Sequence, residues 1–285
     1  MKSAGGISVI VYTKNEQQDL PGCLESLSWC DDIHVFDSMS TDNTVEIAKS
    51  FGATVTQRSY PNTLAFGGDE SAHRNWALEN IQFKHDWIFH IDADERVTPQ
   101  LAVEMQQAIA GDKQAYRMER RDYFMGQWMQ HVIPATSYIR LFRAGHVRYE
   151  RLINPITLID GDIGDLHGYF DHFPFSKGMH HWIGKHNQYS DAEASQIVKN
   201  RGNGVPFSLT KTLFEKDPDQ RRARLKDLYY RMPLRPLVMF LFLFVAKRGF
   251  MDGKAGFRFA SLRAMYEYMI VIKTQDLMEN TALKK

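Results

Sequence analysis

The chain reads as an α/β protein: a mostly parallel sheet with helices on both faces, followed by a helical C-terminal extension. Three observations predict it. Short β-branched or aromatic apolar runs alternate with segments of helical spacing through the first hundred residues, polar residues follow each run directly, and the last third abandons this alternation for apolar and basic stretches. At 285 residues and 44% hydrophobic content, the chain can bury a substantial core, as one large domain or one and a half.

The elements follow in order. Residues 7–12, Ile-Ser-Val-Ile-Val-Tyr, form the kind of run found in strands buried on both faces. Leu20, Leu24 and Leu27 then recur at helical spacing, and residues 33–37 make a second strand. The loop 38–44 is rich in Ser, Thr, Asp and Asn and caps a helix beginning near Thr44, which carries Val45, Ile47, Ala48 and Phe51 and stops at Gly52. Residues 53–56 supply a third strand, 68–80 a helix, and 87–91 a fourth strand. In such sheets ligands bind at the carboxyl ends of the strands.

Composition narrows the setting. With 35 basic and 34 acidic residues, no global field points to nucleic acid. Cys23 and Cys30 are too few for a disulfide framework and lack a metal-ligand spacing, so they read as reduced core residues. The first residues carry no apolar signal-peptide region, and a cytoplasmic chain is the default expectation.

Polar groups converge on the strand ends. Thr13, Asn15 and Glu16 follow the first strand, Asp37 and Ser38 end the second, Arg58 follows the third, and Asp92 and Asp94, with Glu95 beside them, end the fourth. Read alone, Asp92-Ala93-Asp94 fits a divalent-cation site and equally a turn capping the next helix, for which Thr98-Pro99 is a start signal. Four polar strand ends together favour a nucleotide site, with Asp37 on the base or ribose and a cation bridging the phosphates.

Residues 11–16 (Val-Tyr-Thr-Lys-Asn-Glu), 36–44 (Phe-Asp-Ser-Met-Ser-Thr-Asp-Asn-Thr), 74–77 (Arg-Asn-Trp-Ala) and 91–96 (Ile-Asp-Ala-Asp-Glu-Arg) together resemble family 2 glycosyltransferases, and within them the lipopolysaccharide-core β-glucosyltransferase-like branch. The resemblance implies the GT-A fold, a Rossmann-like sheet, and inverting transfer of a sugar from a nucleotide diphosphate donor, usually UDP-linked, with Mg²⁺ or Mn²⁺. By position it places Thr13, Asn15, Glu16, Asp37, Ser38, Arg74 and Asp92 in the nucleotide pocket and makes Asp94 the closer metal ligand. It adds His172 as a further ligand, since a late histidine often serves so in this fold and neutral imidazole suits Mn²⁺. A zinc site among His167, His172, His180, His181 and His186 ranks low for want of ligand spacing. The implied organisation is a nucleotide-sugar-binding half over 1–110, an acceptor-binding and catalytic half over 111–200, and a membrane-associating or oligomerising extension over 201–285.

Displacing a nucleotide diphosphate from an anomeric carbon builds negative charge on the leaving oxygen, which a cation and basic groups must stabilise. Arg74, Arg140 and Arg143 are the candidates, against the plainer reading of a basic strand face for the last two. The acceptor hydroxyl needs a carboxylate base on the opposite side of the sugar. Glu150, Asp162, Asp165 and Asp171 are available; Glu150 keeps its place in a Tyr-Glu-Arg element of the related branch, and Asp171 is the second choice. The His-Glu pair that often follows there is replaced by Asn154-Pro155.

Lys177, Trp182, Lys185, His186 and Tyr189 share parts of a helical surface at three- and four-residue spacing and resemble a signature of the same branch, an aromatic and basic face suited to an acceptor bearing phosphate or sugars, with a solvated amphipathic helix as the competing reading. Beyond a basic run at 221–226, residues 237–246 carry no charge but fall well short of the about 20 residues needed to span a bilayer. Basic flanks and aromatic residues suit an interfacial helix on anionic lipid, with a core or dimer helix as the competing reading. A glycine-rich hinge at 249–257 precedes a final helix containing Met265, Tyr268, Met269 and Ile272. The expected protein is a transferase on the cytoplasmic face of the inner membrane, acting on a lipid-linked or lipopolysaccharide-type glycan. A sugar nucleotidyltransferase and a non-catalytic sugar-nucleotide-binding protein are the alternatives.

Overall fold

The computed structural model describes residues 6–59, 69–133, 136–150, 155–202, 225, 228–232 and 234–282. Gly68, Arg151, Asn154 and the basic run at 221–226, Leu225 apart, lie outside them. The chain divides into two compact units, one of residues 1–128 and 135–177, the other of residues 129–134 and 178–285.

In the first unit, β1 (Ile7–Thr13), β2 (Ile33–Asp37), β3 (Thr54–Gln57) and β4 (Trp87–Asp92) lie parallel in the order β3-β2-β1-β4. Helices α1 (Leu20–Glu25), α2 (Thr44–Ser50) and α3 (Glu70–Asn80) make the crossovers. β1 is buried on both faces because its neighbours' helices cover both. Val9 and Val11 pack with Phe89, Ile91, Leu20 and Leu27 on one side, and Ile10 packs with Phe36, Ile88 and Ala77 on the other. The alternating strand-helix reading of the first hundred residues matches this half, with boundaries shifted by a residue or two.

The sheet continues through elements without a strong sequence signal. After β5 (Glu95–Val97) and α4 (Pro99–Ala108) come β6 (Ala115–Phe124), the short β7 (Gln127–Trp128), β8 (Thr136–Arg143) and β11 (Ile163–His172), which extend the order as β4-β8-β6-β11-β5. β8 runs antiparallel to both β4 and β6, while β6 and β11 are parallel. A separate two-stranded ribbon pairs β9 (Val147–Glu150) with β10 (Ile156–Ile159). Thr98 caps α4, accepting the Leu101 N–H and donating its hydroxyl to the Tyr169 carbonyl at 2.7 Å. Gly168 lets that helix lie on β11, since a Cβ there would sit 2.7 Å from the Leu101 Cα. This α/β architecture, parallel through β3-β2-β1-β4 with helical crossovers, is the class expected from the sequence.

The second unit is helical: α5 (Gly178–Gly202), α6 (Arg235–Leu241) running into a π-helical turn (Phe242–Ala246), a 3-10 turn (Gly249–Asp252) and α7 (Gly253–Ala282). The expected hinge at 249–257 is a correction, because α7 already opens at Gly253 and Gly256 lies inside it. A Cβ on Gly256 would stand 1.9 Å from the Gly249 carbonyl oxygen, so the glycines serve close packing of the 3-10 turn on the helix rather than mobility. No helix among the described residues is long and apolar enough to cross a membrane.

Candidate active site at the carboxyl edge of the sheet

The loops after β1 and β2 are stitched together by side chains. Thr13 donates to Asp37 at 2.9 Å, and Asp37, fully buried, also accepts from the Ser40 N–H, the Ser40 hydroxyl and the Gln57 amide. These hydrogen bonds outweigh burial and hold the Asp37 carboxyl below its ordinary range. Four donors saturate the carboxylate, so Asp37 shapes this loop with its present acceptor sites all filled. Asn15 adopts φ 55°, a left-handed conformation that asparagine tolerates, and its side chain accepts the Thr41 N–H at 2.8 Å. The Asn15 N–H donates to Ser40 and the Glu16 N–H to Thr44. Ser38 contacts the imidazole of His73 at 3.1 Å, and His73 stacks on Phe36 with centroids 4.3 Å apart. Arg58 lies over the Trp76 ring beside them.

At the end of β4 the polypeptide turns through Ala93 into β5, and the carboxylates separate. Glu95 points inward, 1% exposed, accepts the Asp92 N–H at 2.9 Å and meets Arg140 of β8 at 2.8 Å. Asp92 is met by Arg140 at 3.3 Å and by Arg74 of α3 at 3.5 Å. Burial alone would raise Asp92, but Arg140 and Arg74 outweigh it and keep the carboxyl low. Burial pushes Glu95 the other way, above the usual carboxylate range, with Arg140 opposing. Both guanidinium groups rest on aromatic rings, Arg74 on Tyr12 and Arg140 on Tyr138 and Phe170. Beneath them the Tyr149 hydroxyl bonds to His90, and burial holds both groups neutral by raising the phenol and lowering the imidazole.

Asp94 faces the other way. His172 stands opposite Glu95 on one side and Asp122 of β6 on the other in the strand register. Its Nε2 lies 3.4 Å from Asp94 and its Nδ1 2.6 Å from Asp122, which Arg120 holds in turn. Burial disfavours its charge, yet Asp122 and Asp94 prevail and raise it to about 9. An imidazole whose far nitrogen is held by a carboxylate is the arrangement that orients histidine toward a metal. Among the described residues no three acidic, imidazole or thiol groups form a ready-made cage. The donor set nevertheless fits Mg²⁺ or Mn²⁺, which take one or two protein ligands and draw the remainder from substrate phosphates and water.

The structure thus brings Asp92, Asp94, Arg74, Arg140 and His172 together at one edge. Glu16 is nearby, half-buried, paired with Lys177 at 2.6 Å, and burial raises it to about 7 against the lysine. Arg143 is a correction: it pairs with Trp87 at the opposite end of β4, stacks on that ring and donates to the Gly111 and Lys113 carbonyls. Five residues at about 3.3 Å each separate it from the Asp92 edge. Asp171 is held by Arg121 through both carboxylate oxygens, at 2.6 and 3.0 Å. Glu150 is exposed at the end of β9, with Arg148 at 3.1 Å. Lys177 precedes α5 and belongs to the first unit, so it does not share the helical face with Trp182, His186 and Tyr189. Those three lie in the second unit, where Trp182 is 6% exposed, stacks on His186 at 3.6 Å, and His186 meets Tyr266 of α7 edge-on. Sequence reading assigned no role to Asp122, Tyr12 or His90; Tyr12 lay within the 11–16 motif, whereas Asp122 emerges only from the pairing of β6 with β11.

Residues 8–160, more than half of the chain, match the family model described as glycosyl transferase family 2. The chain belongs to glycosyl transferase family 2. This family 2 glycosyltransferase is 26% identical over 276 residues to the lipopolysaccharide core biosynthesis glycosyltransferase LpsC of Rhizobium meliloti, covering 94% of this chain and 91% of the relative. It is 25% identical to an uncharacterized glycosyltransferase of Rickettsia typhi, over 95% of this chain and 87% of the other. Among solved structures, TarS of S. aureus aligns over 90% of this chain and 55% of its own, at 17% identity and a TM-score of 0.41. Glucosyl-3-phosphoglycerate synthase from Mycobacterium tuberculosis, in complex with Mn²⁺ and UDP-glucose, aligns over 41% and 44% at 24% identity and a TM-score of 0.34. At these scores neither structural likeness bears on the site residues of this family 2 glycosyltransferase.

Proposed function

We propose that this family 2 glycosyltransferase moves a sugar, with inversion, from a UDP-linked donor to a lipid-linked or lipopolysaccharide-core glycan at the cytoplasmic face of the inner membrane. One observation carries the reading: the two carboxylates that end β4 diverge, Asp92 toward Arg74 and Arg140 and Asp94 toward His172. The likeness to LpsC supports the acceptor class.

In this reading Thr13, Asn15, Glu16, Asp37 and Ser38 form the base-and-ribose end of the donor site, with Asp37 fixing the loop that receives it. Asp94 and His172 hold Mg²⁺ or Mn²⁺, which when bound supplies positive charge to the diphosphate leaving group. Asp92 keeps Arg74 and Arg140 in place, and these cations face the leaving oxygens in a partly water-excluded edge, where fixed charge acts most strongly. Glu150 is the base. Arg121 occupies both oxygens of Asp171, whereas the exposed Glu150 carboxylate retains lone pairs to take the acceptor proton. Lys177, beside Glu16, contributes to acceptor binding.

The test is a donor-hydrolysis and transfer screen with purified protein, Mg²⁺ or Mn²⁺, and UDP-, GDP- and dTDP-sugars. The reading expects turnover with a UDP-sugar that chelation abolishes. Activity undiminished by chelator, or turnover only with UTP and pyrophosphate release, contradicts it.

A further inference from the structure

In the second unit, the turn from α6 into α7 presents apolar side chains to solvent on a rigid support. Phe250 and Met251 of the 3-10 turn are 53% and 56% exposed, and Phe257 is 50% exposed. They continue an aromatic group in which Phe244 lies 6.3 Å from Phe250 and 5.7 Å from Phe257, and Phe240 lies 5.4 Å from Phe244. One turn away Leu241, Phe242 and Val245 are 46%, 48% and 55% exposed. A contiguous apolar surface of this kind is unusual for a protein that meets only water.

The exposure is built in. Buried Asp252 accepts three backbone N–H groups, from Gln130, His131 and Val132, and the His131 imidazole at 2.9 Å, fastening the turn to the 129–133 segment. Gly249 and Gly256 permit the turn to sit on the helices: a Cβ on Gly249 would be 2.6 Å from the Leu243 carbonyl oxygen. Arg248, at φ 58°, redirects the chain so that Phe250 and Met251 point outward. Collapse onto the unit's own core is therefore closed to these residues.

The surrounding charge identifies the occupant. Between Lys247 and Arg263 the chain carries five arginines and lysines, and its sole acidic residue there is the buried Asp252. Lys247 lies 5.7 Å from the Phe242 ring, and Arg248, Lys254 and Arg258 are exposed around the apolar tip. Aromatic and aliphatic side chains rimmed by cations, on described helices none of which is long and apolar enough to cross a membrane, match the chemistry of an anionic lipid interface.

We infer that the 242–257 turn is the membrane-docking element, with Phe250, Met251 and Phe257 entering the acyl boundary and Lys247, Arg248 and Lys254 on anionic headgroups. This deepens the membrane-face part of the proposed function and is independent of the donor chemistry. The test is co-sedimentation of the full chain with phosphatidylcholine vesicles and with vesicles containing phosphatidylglycerol, comparing wild type, Phe250→Ser/Met251→Ser and Lys247→Glu/Lys254→Glu. Binding to the anionic vesicles is expected to fall at least about tenfold in each variant, the charge variant most at low salt. Circular dichroism verifies that the variants fold, and Phe250→Trp supplies a gain of signal: a blue shift, and quenching by brominated lipid. Donor binding measured without vesicles stays unchanged in all variants, which separates failure here from failure of the transferase reading. Undiminished pelleting of both double variants, no quenching of the indole that Phe250→Trp introduces when the protein is vesicle-bound, or a dimer that the Phe250→Ser/Met251→Ser change dissociates while lipid binding persists would overturn the inference.

Discussion

Replacing Arg140 by methionine removes the one guanidinium that faces both Glu95, at 2.8 Å, and Asp92, at 3.3 Å, while keeping an unbranched side chain between Tyr138 and Phe170. Glu95 is 1% exposed and Arg140 5%, so water replaces little of the lost contact. Breaking a buried pair from one side costs about 3–5 kcal/mol, because the remaining charge is stranded. Part of this is relieved by protonation of Glu95, whose carboxyl burial already pushes upward, which leaves a net loss of about 2–4 kcal/mol at pH 7.5. The sign follows from proton uptake: a carboxyl raised in the folded state is relieved as pH falls toward its ordinary value, so the deficit shrinks at pH 5.5. Adding Glu95→Gln removes the stranded charge, and a double-mutant cycle should recover at least about 1 kcal/mol. Urea unfolding followed by tryptophan fluorescence reads the right unit, since Trp29, Trp76, Trp87 and Trp128 all lie in it and only Trp182 lies in the other. A loss below about 0.5 kcal/mol for Arg140→Met, a value typical of surface substitutions, or a double variant no better than the single, would refute the assignment of Arg140 as the counter-ion of this edge.

Other consequences are more local. Burial, with Arg58 and Arg74, lowers His73 to about 4, so the folded imidazole should remain neutral at pH 5.5 by NMR. The unfolded chain takes up that proton near pH 6.5, so His73 makes stability fall as pH drops from about 6.5 to about 4; a native-state titration near 6.5 would contradict the buried stack on Phe36. Gly256→Ala, whose Cβ meets the Gly249 carbonyl at 1.9 Å, should cost about 1–3 kcal/mol or more in thermal unfolding. Gly184→Ala in α5, where a Cβ meets nothing within 4 Å, should instead be neutral or gain up to about 1 kcal/mol, and equal effects from the two would contradict the packing account.

The parallel half of the sheet was readable because β1 and β4 are largely apolar runs buried on both faces and its crossovers are helical, two patterns that require no tertiary information. The same stretch held Asp92 and Asp94 together with Thr98; Thr98 caps α4, and the turn before it splays the two carboxylates. What followed residue 110 was less legible. β6 and β11 are paired through positions some fifty apart, as His172 and Asp122 show, and the separation of β8 from its partners leaves no local pattern. Arg143 looked equivalent to Arg140 in sequence, yet three steps along a strand move it toward the opposite end of the sheet, onto Trp87. Trp182 and His186 kept the expected helical spacing, but periodicity alone does not say whether a face meets a ligand or another helix; here it meets α7. The 249–257 segment was misread because glycine signals both freedom and close approach, and only the contact between Gly256 and Gly249 separates the two.

The central claim is that Asp94 and His172 hold the cation while Asp92 serves the arginines. Its most direct test is Mn²⁺ titration by electron paramagnetic resonance in the presence of UDP, on wild type, Asp94→Ala and Glu150→Ala. The account predicts that Asp94→Ala weakens Mn²⁺ binding by at least about tenfold with the fold intact, while Glu150→Ala binds as wild type does. Unchanged Mn²⁺ affinity in Asp94→Ala would contradict it.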